Sequence, residues 1–142
     1  KGYQNNHVTI GFGSYGQVKL AKDIETGLIV AVKVVIAAKL DHKIAKNEVL
    51  MHHKLCHSKI IRLIDVYLDN EKEITYMILE YAEEGTLYDK SKIGTVPKDD
   101  VKKYFQDICE GLAYLHRQNI MHRDIKVNAF YPAVKYSDHQ KQ

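Results

Sequence analysis

Gly11-Phe12-Gly13-Ser14-Tyr15-Gly16-Gln17-Val18 fits the pattern G-x-G-x-x-G-x-V, and the residues after it decide the architecture. Glycines without side chains let backbone amides close over phosphate oxygens. A dinucleotide-binding unit would open a helix at the third glycine and carry an acidic residue at the end of the next strand. Gln17-Val18-Lys19-Leu20-Ala21 continues as strand instead. The glycines therefore mark the bend of a β-hairpin that can act as a flap, with an ordinary glycine-rich hairpin as the plain alternative for the loop alone.

Outward from the loop, Val8 to Ile10, Val18 to Ala21 and Leu28 to Val35 are β-rich runs, the last two separated by the Glu25-Thr26-Gly27 turn. They predict three consecutive antiparallel strands. On the third, alternation puts Ala31 and Lys33 on one face, and a lysine on so apolar a strand needs an anion. From Asp41 to Lys54 the pattern becomes helical, with Ile44, Glu48, Met51 and Leu55 on one stripe. Glu48 is a carboxylate within that apolar stripe, and a surface bond to Lys46 or Lys54 is the plain reading of it. Ile60 to Val66 and Ile74 to Leu79, with the Asp69-Asn70-Glu71-Lys72 turn between them, complete an expected five-stranded sheet. The best helix runs from Lys98 to Arg117. Pro97 precedes it, Asp99 and Asp100 face its positive end, and Val101, Tyr104, Phe105, Ile108, Leu112 and Leu115 recur at helical spacing. Asn119 to Gln142 reads as loop with one short hairpin at Pro132-Ala133.

The chain has 142 residues, two prolines, eight glycines and a net charge of +3, with no stretch that reads as a linker. Lysines and acids are interspersed, which describes a solvated surface and no nucleic-acid footprint. Leu28 to Leu40, the longest apolar stretch, is interrupted by Lys33 and too short to cross a bilayer, and no secretory segment opens the chain. No membrane partner and a cytoplasmic or nuclear setting are expected. Cys56 and Cys109 fall on segments that read as helical, so buried free thiols are expected. His52-His53 with Cys56-His57 lacks established ligand spacing, and His116 reads as a packed or capping residue.

Ile120-Met121-His122-Arg123-Asp124-Ile125-Lys126 places H-R-D-x-K directly after the long helix. With the glycine loop, the strand lysine and the helix glutamate, the chain resembles the nucleotide-binding half of a eukaryotic-type protein kinase, serine/threonine type. Details around Leu40 to Leu63 and Asn128 to Tyr131 look most similar to kinases related to the AMP-activated group. The resemblance implies an α+β fold, with a five-stranded antiparallel N-lobe sheet and one regulatory helix over residues 1–80. A hinge would follow at 81–87, then a partial helical C-lobe over 88–142. It implies ATP and Mg2+ as cofactors and a protein serine or threonine as substrate. Ile10, Gly11, Gly13, Gly16, Val18 and Ala31 would enclose the nucleotide, with Lys33 and Glu48 at its phosphates. The Glu80 carbonyl and Ala82 backbone groups would bond adenine beside Leu79 at the gatekeeper position. Asp124 would accept the substrate hydroxyl proton and Lys126 would neutralise charge on the transferred group, while Asn128 and Asp138 would hold the metal.

The pattern departs from the family in places. Asn128 stands four residues after Asp124 where the family has five, and one residue of register moves a side chain by about 3.3 Å. His139 and Gln140 stand where Phe and Gly belong, and Ser58-Lys59 replace the Pro-Asn of the family's L-x-H-P-N-I loop. On this resemblance the chain stops at Gln142 short of the activation loop, and its long helix would present an apolar face to water or another chain. Two functions stay open: an ATP-dependent serine/threonine kinase, and a truncated or pseudokinase-like nucleotide-binding module that acts through a partner or by self-association.

Overall fold

Five antiparallel strands form one sheet in the order β1-β2-β3-β5-β4. They are β1 (Tyr3–Gly13), β2 (Gly16–Asp23), β3 (Ile29–Ile36), β4 (Leu63–Asp69) and β5 (Ile74–Glu80), with the helix α1 (His42–His53) between β3 and β4. Two further helices follow, α2 (Leu87–Ile93) and α3 (Lys98–Arg117). The computed structural model describes residues 2–13, 16–36, 42–94 and 96–126.

The turn between β2 and β3 closes by the chemistry its residues carry. Asp23 Oδ1 accepts from the Glu25 and Thr26 amides at 2.9 and 3.0 Å, and Gly27 takes φ 74°. β3 then pairs with β2 on one edge and β5 on the other, so Val18, Lys33 and Met77 lie in one cross-strand row. Leu20, Ala31 and Leu79 form the next row on the same face. That face carries the cluster of Val35, Leu63 and Met77, against which Val49 of α1 packs. On the other face Ala21, Val30 and Ile78 cluster, with Tyr3 and Val32 against them.

The described residues divide into two units, one from residues 1–56 and 61–81, the other from 57–60 and 82–142. In the second, α2 opens on a reciprocal cap. Thr86 Oγ1 accepts from the Asp89 amide at 3.1 Å while the Asp89 carboxylate accepts from the Thr86 amide at 2.9 Å. The 57–60 segment is tied to α3 by Lys59 Nζ to Asp107 Oδ1 at 2.6 Å and by His57 stacked on Tyr114 at 4.8 Å. Gly111 makes the approach possible, since a Cβ there would stand 3.2 Å from the Lys59 carbonyl oxygen.

The five-stranded sheet and the α3 bounds agree with the sequence reading, and several local expectations do not. β4 begins at Leu63 and not at Ile60, because the Ile60 amide closes a turn onto the His57 carbonyl at 3.0 Å and Lys59 is held by Asp107. The inward side of α1 runs through Val49 and His52, whose Nε2 donates to the Ile61 carbonyl at 2.8 Å; Met51 is 44% exposed. Cys56 and Cys109 are free but exposed. Cys56 lies beyond the end of α1, and Cys109 is on the side of α3 away from buried Gly111 and Leu115. Among the described residues, no helix is long and apolar enough to cross a membrane.

Met77, 2% exposed on the α1 side of the sheet, is the largest fully buried side chain among the described residues. Met77→Ala is expected to lower the stability of the protein by about 2–5 kcal/mol in urea unfolding. Thr86→Ala, which removes only the α2 cap, should cost about 1 kcal/mol.

Candidate functional site

In the first unit, the predicted residues of the glycine hairpin and β3 share one surface. Antiparallel pairing sets Val18 opposite Lys33, and Ala31 two residues before it, so an apolar strip runs directly up to a half-buried ammonium group. Ala31 and Met77 are buried, and Leu79 extends the strip onto β5. Such a surface suits a ligand with a flat apolar part and an anionic part, because the low-polarity surroundings strengthen the lysine's attraction for an anion. α1 packs on this same face through Val49. Glu48 is the residue before Val49 on α1, and its side chain lies outside the described part.

The glycines of the loop have different physical reasons. Gly16 pairs with Val35, and a Cβ added to it would lie directly on the Val34 carbonyl oxygen of β3. Its lack of a side chain is therefore required by the sheet itself. Gly11, opposite Val18, has nothing within 4 Å of an added Cβ among the described residues, so space there is open to a ligand. Gly13 ends β1 opposite Gly16, and Ile10, at an irregularity in the β1–β2 register, is 42% exposed. Ser14 and Tyr15 lie outside the described residues.

At the end of β5, Glu80 is clamped to the start of β4. Its amide donates to the Arg62 carbonyl at 3.0 Å, and its carboxylate accepts from the Arg62 amide at 3.3 Å. In the second unit, Ala82 is buried and its carbonyl accepts from the Gly85 amide at 3.3 Å, where Gly85 has φ 71°. One lone pair of that carbonyl is thus engaged within the turn.

The H-R-D-x-K motif follows a helix end built to turn the chain sharply. Asn119 takes φ 58°, its amide donating to the His116 carbonyl at 3.0 Å and the Ile120 amide to the Leu115 carbonyl at 2.9 Å. This is a Schellman closure with asparagine in the left-handed position usually held by glycine. Beyond it Arg123 also has a left-handed φ of 63°, and the Asp124 amide donates to His122 Nδ1 at 3.3 Å. Lys126 Nζ stands 2.7 Å from Asp124 Oδ2, with both side chains more than half exposed. A carboxylate and an ammonium presented side by side to solvent can accept a proton and meet an oxyanion. Asn128 and Asp138, the expected metal ligands, lie outside the described residues. Two of the histidines near α1 are otherwise occupied: His52 bonds Ile61, and His57 Nδ1 accepts from the Lys59 amide at 3.2 Å.

Sequence reasoning did not identify the roles of Gly16, Asn119, Gly111 or the Lys59–Asp107 pair. Asn119 carried a usable signal, an asparagine just past an apolar helical pattern.

A family model described as protein kinase domain matches residues 4–131. Calcium-dependent protein kinase 5 of Plasmodium falciparum is 39% identical over 127 residues, covering 87% of this chain and 22% of that protein. CBL-interacting protein kinase 21 of Oryza sativa subsp. japonica is 34% identical over 123 residues, covering 82% and 23%. Serine/threonine-protein kinase STK11 of Rattus norvegicus is 36% identical over 124 residues, covering 82% and 28%. The chain spans about a quarter of the length of these relatives.

Substitution separates the two glycines. Gly16→Ala is expected to lower the melting temperature by several degrees, the equivalent of about 1–3 kcal/mol of overpacking. Gly11→Ala should leave the melting temperature within about 2 degrees of wild type, as for surface changes that meet no neighbour. Equal losses in the two variants, measured by calorimetry, would contradict the assigned difference.

Proposed function

The chain belongs to the protein kinase domain family, and from that premise we propose that it is the nucleotide-binding and catalytic-loop part of a serine/threonine protein kinase. The observation that carries this reading is the cross-strand row that sets Val18 opposite Lys33 on the α1 face of the sheet, with Ala31 in the adjacent row. ATP would lay its adenine against Ile10, Val18 and Ala31 and bond the Glu80 carbonyl and Ala82 backbone groups. Its α and β phosphates would meet Lys33, oriented by Glu48, with loop amides around Gly11 and Gly13 above them.

The reaction joins the substrate hydroxyl oxygen to the γ phosphorus as the bridging bond to the β-phosphate breaks. Asp124 takes the hydroxyl proton, and Lys126, now 2.7 Å from Asp124, would turn to the γ-phosphoryl oxygens. Magnesium, held by Asn128 and Asp138, would supply charge neutralisation at the phosphates. A protein serine or threonine is the substrate class, and a cytoplasmic or nuclear setting fits it.

A second reading, a nucleotide-binding module that acts through another chain, is favoured by the exposure of Val101 and Phe105 on α3, the latter 66% exposed. Those side chains would be its contact surface.

ATP with magnesium at a hundredfold excess over its dissociation constant is expected to stabilise the protein by about 2.7 kcal/mol in a thermal-shift titration. Lys33→Met should abolish most of that shift. Asp124→Ala should keep the shift and lower γ-phosphate transfer to a serine/threonine peptide by about a hundredfold or more. Stabilisation without transfer, unchanged in Asp124→Ala, would select the module; no stabilisation at all would reject both.

A further inference from the structure

The last pair of the β4–β5 ladder is only half made. Leu63 and Leu79 are partners, so the register next sets Arg62 opposite Glu80. The Glu80 amide donates to the Arg62 carbonyl at 3.0 Å, which makes this a pair of the kind that exchanges two bonds. The return bond would run from the Arg62 amide to the Glu80 carbonyl. That amide donates instead to the Glu80 carboxylate, Oε2, at 3.3 Å. An amide has a single proton to give, so the Glu80 carbonyl is left out of the exchange.

The side chain and the carbonyl of one residue thus compete for one donor. The carboxylate is the stronger acceptor, because a charged partner makes a hydrogen bond about twice as strong as a neutral one. β5 ends at Glu80 and β4 begins only at Leu63, so regular pairing stops where the side chain takes over. Glu80 also lies beside the candidate site: it pairs with Val30, and its neighbour Leu79 pairs with Ala31 in the apolar strip that leads to Lys33.

We propose that the Glu80 carboxylate is a positioning group: by occupying the Arg62 amide it keeps the Glu80 carbonyl available as the acceptor for a ligand amino group. The inference rests on the nucleotide reading and adds what this side chain does in it. Adenine carries an amine at the ring position where hypoxanthine carries an oxygen, and an oxygen facing the carbonyl would set two acceptors together with no proton between them. The side chain thereby favours an aminopurine without touching the base.

The test compares ATP with purine riboside triphosphate, which lacks only the exocyclic amine, by calorimetric titration with magnesium into wild type, Glu80→Ala and Glu80→Gln. Wild type is expected to bind ATP about twofold to tenfold tighter, the value of one hydrogen bond. Glu80→Ala, in which the Arg62 amide can return to the carbonyl of residue 80, should lose that preference while purine riboside triphosphate binds within about twofold of its wild-type affinity. Glu80→Gln, whose side-chain carbonyl still accepts from Arg62, should keep the preference. The proposal is overturned by a preference that survives Glu80→Ala, by a Glu80→Gln variant that behaves like Glu80→Ala, or by an equal loss of both triphosphates, since the side chain would then only hold the strand end in place. Equal binding of the two by wild type overturns it too and leaves the nucleotide site standing. Failure of both to bind wild type removes the site and the proposal together.

Discussion

The structure depends on β3 being at once the centre of the sheet and an almost wholly apolar strand with one charge. Hydrogen-bonded to β2 on one edge and β5 on the other, the run from Ile29 to Ile36 supplies apolar side chains to both clusters. Lys33 interrupts it on the face that α1 covers. A half-buried ammonium costs free energy unless it meets negative charge, and the same low-polarity surroundings that impose this cost strengthen its attraction for a phosphate. Cohesion of the sheet and the proposed recognition of a phosphate thus rest on one strand.

The second unit solves a different problem, how to turn an exposed loop sharply at a fixed place. α3 is anchored through Lys59 on Asp107 and His57 on Tyr114, and Gly111 allows the backbone of the 57–60 segment to come close. Its last carbonyls are then satisfied by Asn119 and Ile120, which reverses the chain two residues before His122. Arg123 in a left-handed conformation continues the turn. A residue other than glycine adopts that conformation rarely, and here it sets the direction of the loop that follows. Asp124 and Lys126 are the side chains presented.

What was legible in the sequence followed from patterns that no tertiary contact opposed. Alternation around the glycine hairpin identified the strands, and α3 could be read at both ends because Pro97, Asp99 and Asp100 mark its start and the apolar periodicity stops where the left-handed Asn119 follows. Ile60 and Ile61 look like strand, yet Lys59 is drawn to Asp107 of α3 and the 57–60 segment belongs to the second unit, so the local preference is overridden until Leu63. α2 was missed because seven mostly polar residues give no periodicity; its evidence was the capping pair Thr86 and Asp89. Met51 was assigned inward from spacing alone, but spacing defines a face without saying which one meets the sheet. Of the candidate site, the positions of Ala31 and Lys33 on one face were readable from period two, Val18 joins them only through the β2–β3 register, and the spacing of Asn128 against the family pattern has no counterpart within the described residues.

The glycine motif carries a more general point. Its residues are usually read as one requirement, that of a backbone approaching phosphate, but Gly16 answers to the Val34 carbonyl and would be needed with no ligand at all. Gly11 answers to nothing among the described residues, so on the proposed reading the demand for glycine there comes from what the loop covers. A match to the motif therefore combines a fold signal with a ligand signal. In this chain the fold signal resides in the third glycine, where β2 meets β3, and the ligand signal in the first, which lies across from Val18 in the row that leads to Lys33.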